Sequence, residues 1–278
     1  MRTIIADVNK NGKYFSILDG GRKYFYYLPN RLSAIFIEHL EKGRLIEFEA
    51  IDKTKVISNR TAYEVIKISD IVSLNPYRVV FSHKELQKNM RDVLFSVDYF
   101  LCVDFEMSMA NYKQKGYIAE IIQAGLILID NNGHVIEEFS KYILPVDPKA
   151  INKFTLKFLK LDFDQYLDAA IEYLEFYEKL KEIMKKYSPK IVMWGKNDLL
   201  VLNDSYKLNK FEPVTKNTDF IDLLKLHKDF YSTKDDIGLF NAYKTYYSEL
   251  DDQKHDALED AAVTKEILLA FMNIMKTI

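Results

Sequence analysis

Cysteine is nearly absent. Cys102 is the single one in 278 residues, which excludes an intrachain disulfide framework and any zinc site built from several thiolates. No apolar run comes near the roughly 18 residues of a membrane span. The first residues, Met1-Arg2-Thr3-Ile4-Ile5, turn polar by Asp7, and the basic, apolar and small-residue succession of a secretion signal is missing. Together these features lead us to expect a reducing, cytoplasmic setting and no membrane. Internal repeats and low-complexity segments are also lacking. Of the five histidines, His39, His83, His134 and His227 stand without an acid at metal-ligand spacing and are read as surface or packing residues.

Net charge is small, −2, but unevenly spread. Residues 1–95 carry 16 Lys/Arg against 11 Asp/Glu, and the remainder 23 against 30. A basic front and an acidic back suit a polyanion-binding module joined to a carboxylate-rich site, although clustering by chance remains an open alternative. Apolar residues make up 48% and charged residues 29%, enough for a packed core.

The first part of the chain reads as short strands separated by turn residues. Thr3–Val8, Lys13–Leu18, Lys23–Leu28, Arg44–Ile51 and Thr61–Ile68 are the candidate strands. Asn9-Lys10-Asn11-Gly12 and Asp19-Gly20-Gly21 mark turns between them. Five such strands predict a small closed barrel over residues 1–72. Residues 73–96 read as a connector, helical over Lys84–Leu94, with Asn75-Pro76 ending the barrel. Residues 97–278 change to α/β order. Tyr99–Phe105 is a central strand, Glu120–Asp130 and Val135–Leu144 two more, Asp164–Tyr187 one long amphipathic helix, Ile191–Trp194 a buried strand, and Leu258–Ile278 a closing helix.

Within that second part, acids occur where apolar residues are expected. In a strand, positions i and i+2 share a face, so Asp104 and Glu106 of Val103-Asp104-Phe105-Glu106 project together. Two adjacent carboxylates in an apolar strand repel one another and lose hydration, and a hard divalent cation relieves both costs. Alone, the pair also fits a strand end that reaches solvent. Asp198, in Trp194-Gly195-Lys196-Asn197-Asp198, stands at a strand-to-helix junction, where a helix-capping acid is the plain alternative. His255 and Asp260 lie at the start of the last helix. Five residues at about 100° each put them on different sides, which suits a base and a separate ligand rather than two ligands of one ion.

Taken together, Asp104/Glu106, Asp198 and His255/Asp260 resemble, in order and spacing, the DEDDh exonucleases of the RNase H-like fold. His255-Asp256-Ala257-Leu258-Glu259-Asp260-Ala261 is similar to that family's H-x-A-L-x-D-A, and Glu120–Leu126 to its second strand. The likeness covers about residues 97–275. The Gly-x-x-Asp form around Asp198 looks like the RNA-trimming exoribonuclease subgroup and departs from members with a His-Asn stretch there. Asp204 and Asp219 are its rivals as the third acid.

The resemblance implies 3′–5′ hydrolysis of a single strand, RNA or DNA, to nucleoside 5′-monophosphates. Two Mg²⁺ or Mn²⁺ ions about 4 Å apart would be held by Asp104, Glu106, Asp198 and Asp260, with Asp104 as the bridge and His255 as general base. Met107, Ser108 and Met109 would sit under the terminal base, with core packing as the equal alternative. A DNA-directed exonuclease, a non-catalytic single-strand binder and a metal-binding regulator are the alternatives.

Residues 1–70 resemble a cold-shock, OB-type barrel through Gly12–Ile17, Tyr24–Tyr27 and Leu40–Glu49. That likeness implies single-strand binding through aromatic stacking and Lys/Arg contacts. Lys13, Tyr14, Tyr24 and Tyr26 are the expected contacts; the plain alternative is that the aromatics are barrel core, although five in two adjacent strands exceed what one small core holds. Tyr24 with Tyr26, or Phe25 with Tyr27, would line the outer surface.

Overall fold

A computed structural model describes residues 1–110, 116–160, 162–233, 235–247 and 256–277. The chain divides into two compact units, Met1–Asn89 and Met90–Ile278.

In the first unit, strands β1 (Arg2–Asn9), β2 (Tyr14–Asp19), β3 (Arg22–Tyr27), β4 (Leu45–Ile57) and β5 (Arg60–Leu74) close into a barrel. The strands run in the order β3-β2-β1-β4-β5, and a parallel β3–β5 pairing shuts the ring. A short helix, α1 (Asn30–Phe36), joins β3 to β4. Inward side chains follow the two-residue alternation of strands: Ile5, Phe15, Ile17, Tyr26, Ile46, Phe48, Val65 and Ile68 form the core with Leu28, Leu32, Phe36 and Leu40. This is the expected OB-type barrel. It does not end at Asn75-Pro76, because the chain turns there and adds a sixth strand, β6 (Tyr77–Ser82), antiparallel to β5. Helix α2 (His83–Phe95) follows.

The second unit is a six-stranded mixed sheet between helices. Its strands are β7 (Tyr99–Met107), β8 (Ile121–Asp130), β9 (Val135–Ile143), β10 (Ala170–Ile171), β11 (Lys190–Met193) and β12 (Phe220–Asp222), in the order β10-β9-β8-β7-β11-β12. The helices are α3 (Lys153–Leu159), α4 (Phe163–Ala169), α5 (Tyr173–Tyr187), α6 (Asn197–Asn209), α7 (Leu223–Tyr231), α8 (Leu239–Tyr243) and α9 (Ala257–Met275). The long helix expected over Asp164–Tyr187 is interrupted. Ala170 and Ile171 leave helical geometry to pair in parallel with Tyr142 and Ile143 at the sheet edge, and α5 starts afresh after Glu172. Burial of Tyr166 and Tyr173 in two separate clusters hides this break from the apolar periodicity.

Central strand β7 has both faces covered, hence its near-continuous apolar run. Leu101, Val103 and Phe105 pack under α5 and α6. Phe100 and Cys102 face α9 through Ile267, Leu268 and Phe271. Alternation therefore directs Asp104 and Glu106 to the α9 side, at the carboxyl end of the strand. Both cores are dense with aromatic edge-to-face pairs such as Phe105–Phe176 and Phe230–Phe271.

Candidate active site

Three carboxylates from two distant stretches of chain meet at the end of β7. Asp104, Glu106 and Asp260 offer ligand oxygens that all lie within 4.8 Å of one another, close enough to share a cation. They line a cleft of about 400 Å³ with Asp198, Asn197, Met109, Phe158 and Trp194.

The backbone arranges this convergence. Asp104 is register partner to Gly125 of β8, and Glu106 to Gln123. A Cβ on Gly125 would lie 2.1 Å from the Ala257 carbonyl oxygen and 2.4 Å from the Leu258 nitrogen. Only glycine lets the first turn of α9 settle directly onto the sheet. Gln123 fixes the same turn from the other side. Its Nε2 donates to Asp256 at 2.7 Å, and its Oε1 accepts from the Ala257 N–H at 3.4 Å. The other Asp256 oxygen caps α9 by accepting from the N–H groups of Leu258 and Glu259. Asp260, one turn further on, is thereby brought to Asp104 and Glu106. His255 precedes the cap in sequence but lies outside the described residues.

Asp198 arrives separately, in the first turn of α6 beyond β11. It is buried, and its Oδ1 accepts from the Phe105 N–H at 3.0 Å. It lines the same cleft without joining the tight group of three. The rivals do not reach the cleft. Asp204 pairs with Lys207 on the outer face of α6, and Asp219 accepts from the Lys216 N–H.

The electrostatics reflect crowding. Burial first, and then the charges of Asp198, Asp260, Glu106 and Asp256, push the Asp104 carboxyl well above the usual carboxylate range. Burial raises Glu106 to about 7, reinforced by Asp260, Asp256 and Asp198. Burial likewise raises Asp198 to about 7, against the lowering effect of its backbone hydrogen bonds. Without a cation this cluster retains protons near neutrality. Buried hard oxygens that repel one another are the donor set a hard divalent cation fits. The Cys102 thiol, wholly buried and pushed up to about 12, is no nucleophile.

Met107, Ser108 and Met109, the contacts expected beside the carboxylates, line the same cleft. Ser108 is buried; its Oγ accepts from the Tyr117 hydroxyl at 2.6 Å and from the Glu120 N–H at 2.8 Å. It latches the segment after β7 while lining the cleft. Met107 packs against the core under α5, while Met109 is 41% exposed at the cleft rim. The Met109 N–H donates to Thr155 Oγ1, and its carbonyl accepts from Asn152 Nδ2, so the start of α3 holds the rim. Phe158 and Trp194 also line the cleft, and sequence reasoning passed over both. An aromatic at a strand-to-helix junction, as Trp194 is, was the available signal. His134, read as lacking an acid partner, has one: its Nδ1 lies 2.9 Å from Asp130 on an exposed turn. His83 and His227 are buried.

In the barrel, two of the four expected contacts are corrected. Tyr26 is buried among Phe15, Phe48 and Tyr63, because β3 pairs with β2 in the register Phe15↔Tyr26 and both residues point inward. Tyr14 points outward but is covered, its ring lying under Gly12 and against Phe25. Tyr24 is half-buried against the core, and Lys13 donates to Asn30 at 3.1 Å. The outward pair on β3 is Phe25 and Tyr27. Arg60 and Lys23 lie over the Phe25 ring at 4.9 and 5.8 Å, and the Tyr27 hydroxyl donates to Glu64.

Residues 101–268 match the sequence model of the exonuclease family of RNase T. The chain belongs to this family of 3′–5′ exonucleases. It is 30% identical over 164 residues, 58% of this chain and 78% of the other, to the Bacillus subtilis (strain 168) protein named "Probable 3'-5' exonuclease KapD". The solved nuclease domain of 3'hExo, a DEDDh family member bound to rAMP, superposes with a TM-score of 0.54 at 20% identity, covering 64% of this chain and 93% of that one. A 3'-exonuclease solved in 3'-end specific recognition of a histone mRNA stem-loop matches at TM-score 0.54 and 18% identity, covering 64% of each chain. Cell-death related nuclease 4 matches at TM-score 0.53 and 22% identity, again over 64% of each. At these identities the solved structures establish the RNase H-like fold of the second unit. No helix among the described residues is long and apolar enough to cross a membrane.

Proposed function

We propose that this exonuclease degrades single-stranded RNA from its 3′ end, releasing nucleoside 5′-monophosphates, with two Mg²⁺ or Mn²⁺ ions as cofactor. The observation that carries this reading is the meeting of Asp104, Glu106 and Asp260 within 4.8 Å, with Asp198 on the same cleft. Asp104, Glu106, Asp198 and Asp260 would hold the ions. Once bound, the ions supply neutralisation of the charge that develops on the attacking and leaving oxygens at phosphorus.

The chain's own groups do the rest. Glu106 and Asp198 would hold the ions in their deprotonated form, giving up the protons that burial lets them keep. His255 takes the proton from the attacking water, the general-base role an imidazole can fill near neutrality. Met109, Phe158 and Trp194 give the terminal nucleotide apolar walls to stack on. The barrel, net basic, with Phe25, Arg60 and Lys23 outward, binds single strands through stacking and phosphate contacts. The barrel and the Gly195–Asp198 sequence both favour RNA over DNA.

The test is a ladder assay on matched RNA and DNA oligomers labelled at either end, with Mg²⁺, Mn²⁺ or EDTA. The reading predicts stepwise shortening of 5′-labelled RNA, immediate mononucleotide release from 3′-labelled RNA, and no reaction in EDTA. Preferential shortening of DNA would reject the RNA assignment. Inertness toward both with metal present would reject catalysis.

A further inference from the structure

Beyond residue 95 the sequence is acidic, with 23 Lys/Arg against 30 Asp/Glu, yet the second unit gathers lysines in one place. A cavity of about 400 Å³ opens between the carboxyl end of α5 and the 214–219 segment. Lys181, Lys185, Lys190 and Lys216 line it, against one acid among the described residues, Asp219. The Asp219 carboxylate already accepts from the Lys216 backbone N–H at 2.8 Å. Lys181 pairs with Glu178 at 2.9 Å. The Lys190 ammonium donates to the Thr218 carbonyl at 2.8 Å, which fixes it at the cavity without neutralising it. Lys185 and Lys216 are exposed and form no ion pair among the described residues.

The negative end of the α5 dipole accounts for Lys185. It does not account for cations brought to the same hollow from α5, from the start of β11 and from the segment before β12. Like charges so gathered repel, and an anion among them removes that cost. Lysine carries a compact charge on a flexible stem, which suits phosphates contacted without reading the bases. The position is informative too. Lys190 opens β11, and Trp194, just past its other end, lines the catalytic cleft. Four residues of extended chain set the two about 13 Å apart, so cavity and cleft lie at opposite ends of one strand.

We propose that this lysine cavity is a second nucleic-acid site, gripping backbone phosphates of a single strand whose 3′ end lies in the catalytic cleft. It rests on the single-strand exonuclease reading above. Because its contacts are to phosphate, it serves RNA and DNA alike and adds affinity with length rather than with sequence.

Fluorescence anisotropy on the full chain in EDTA, with RNA and DNA oligomers of about 20 nucleotides, tests the proposal; binding without turnover is measurable whether or not the catalytic or RNA assignment holds. The double variant Lys185→Gln/Lys216→Gln should bind both oligomers at least tenfold more weakly at low salt. The slope of log affinity against log salt should fall by about 1.4, for two phosphates no longer neutralised on a single strand. Lys185→Arg/Lys216→Arg should restore both. Mn²⁺-dependent cleavage of a dinucleotide, too short to reach the cavity, should be unchanged in the Gln variant. Inorganic phosphate, at the phosphate concentration of the oligomer, should not displace it. Wild-type affinity and slope in the Gln variant, failure of arginine to restore them, equal loss on the dinucleotide, or displacement by free phosphate would each overturn the assignment.

Discussion

Replacing Gly125 by alanine adds a single methyl group at the point where α9 rests on the sheet. The new Cβ would lie 2.1 Å from the Ala257 carbonyl oxygen, where ordinary contact begins at 3.4 Å. The obstacle is backbone on both sides, so no side chain can swing away. The first turn of α9 must lift by about 1 Å or more, and Asp260 and the Asp256 cap rise with it. Overpacking of this kind costs about 1–3 kcal/mol, which lowers the melting temperature by roughly 2–4 °C per kcal/mol in a unit of this size. The catalytic cost is larger. A displacement of about 1 Å in a reacting constellation loses on the order of 10²-fold in rate. Gly125→Ala is thus expected to melt several degrees lower yet remain folded at 25 °C, with kcat for mononucleotide release down about 10²-fold or more. Wild-type kcat together with a wild-type melting temperature would refute the idea that this close approach positions Asp260.

Three further outcomes are expected. Glu106 binds its proton more tightly in the folded, metal-free protein, to about 7 against 4.5, so its contribution to stability is present below about pH 4.5 and lost as pH rises through 7. The loss is about 3 kcal/mol; in EDTA, Glu106→Gln should melt higher than wild type at pH 8 and alike at pH 4, and equal melting at pH 8 would count against the crowding. His255→Ala should lose roughly 10²–10⁴ in kcat while Mn²⁺ affinity is kept, and full activity would remove His255 as the base. Phe25→Ala should weaken single-stranded RNA binding by about 1–3 kcal/mol, measured by fluorescence anisotropy on the full chain, whereas unchanged affinity would take the barrel's outer face out of the interaction.

The fold class and the residues of the candidate site were both legible in part. Asp104 and Glu106, which alone also fit a strand end reaching solvent, stood out only in combination with Asp198, His255 and Asp260. Asp260 was legible through its spacing from His255. What the sequence left unread depends on contacts between distant stretches. Gly125 looked like an ordinary strand residue, and only the α9 backbone lying against it gives it a role. Ser108 lines the cleft as expected, but its hydrogen bonds with the Glu120 N–H and the Tyr117 hydroxyl were not legible. In the barrel, alternation left two choices for the outer face of β3. The β2–β3 register and the positions of Phe15 and Phe48 decided for Phe25 and Tyr27. The break at Ala170–Ile171 was invisible for a similar reason, since its partner is the end of β9.

The most direct test is anomalous scattering from crystals soaked in Mn²⁺. The account predicts difference peaks in the cleft, one between Asp104, Glu106 and Asp260 and a second on the Asp198 side of Asp104, both lost in Asp104→Asn. Well-diffracting crystals with no manganese at these carboxylates, at a concentration that supports turnover, would contradict it.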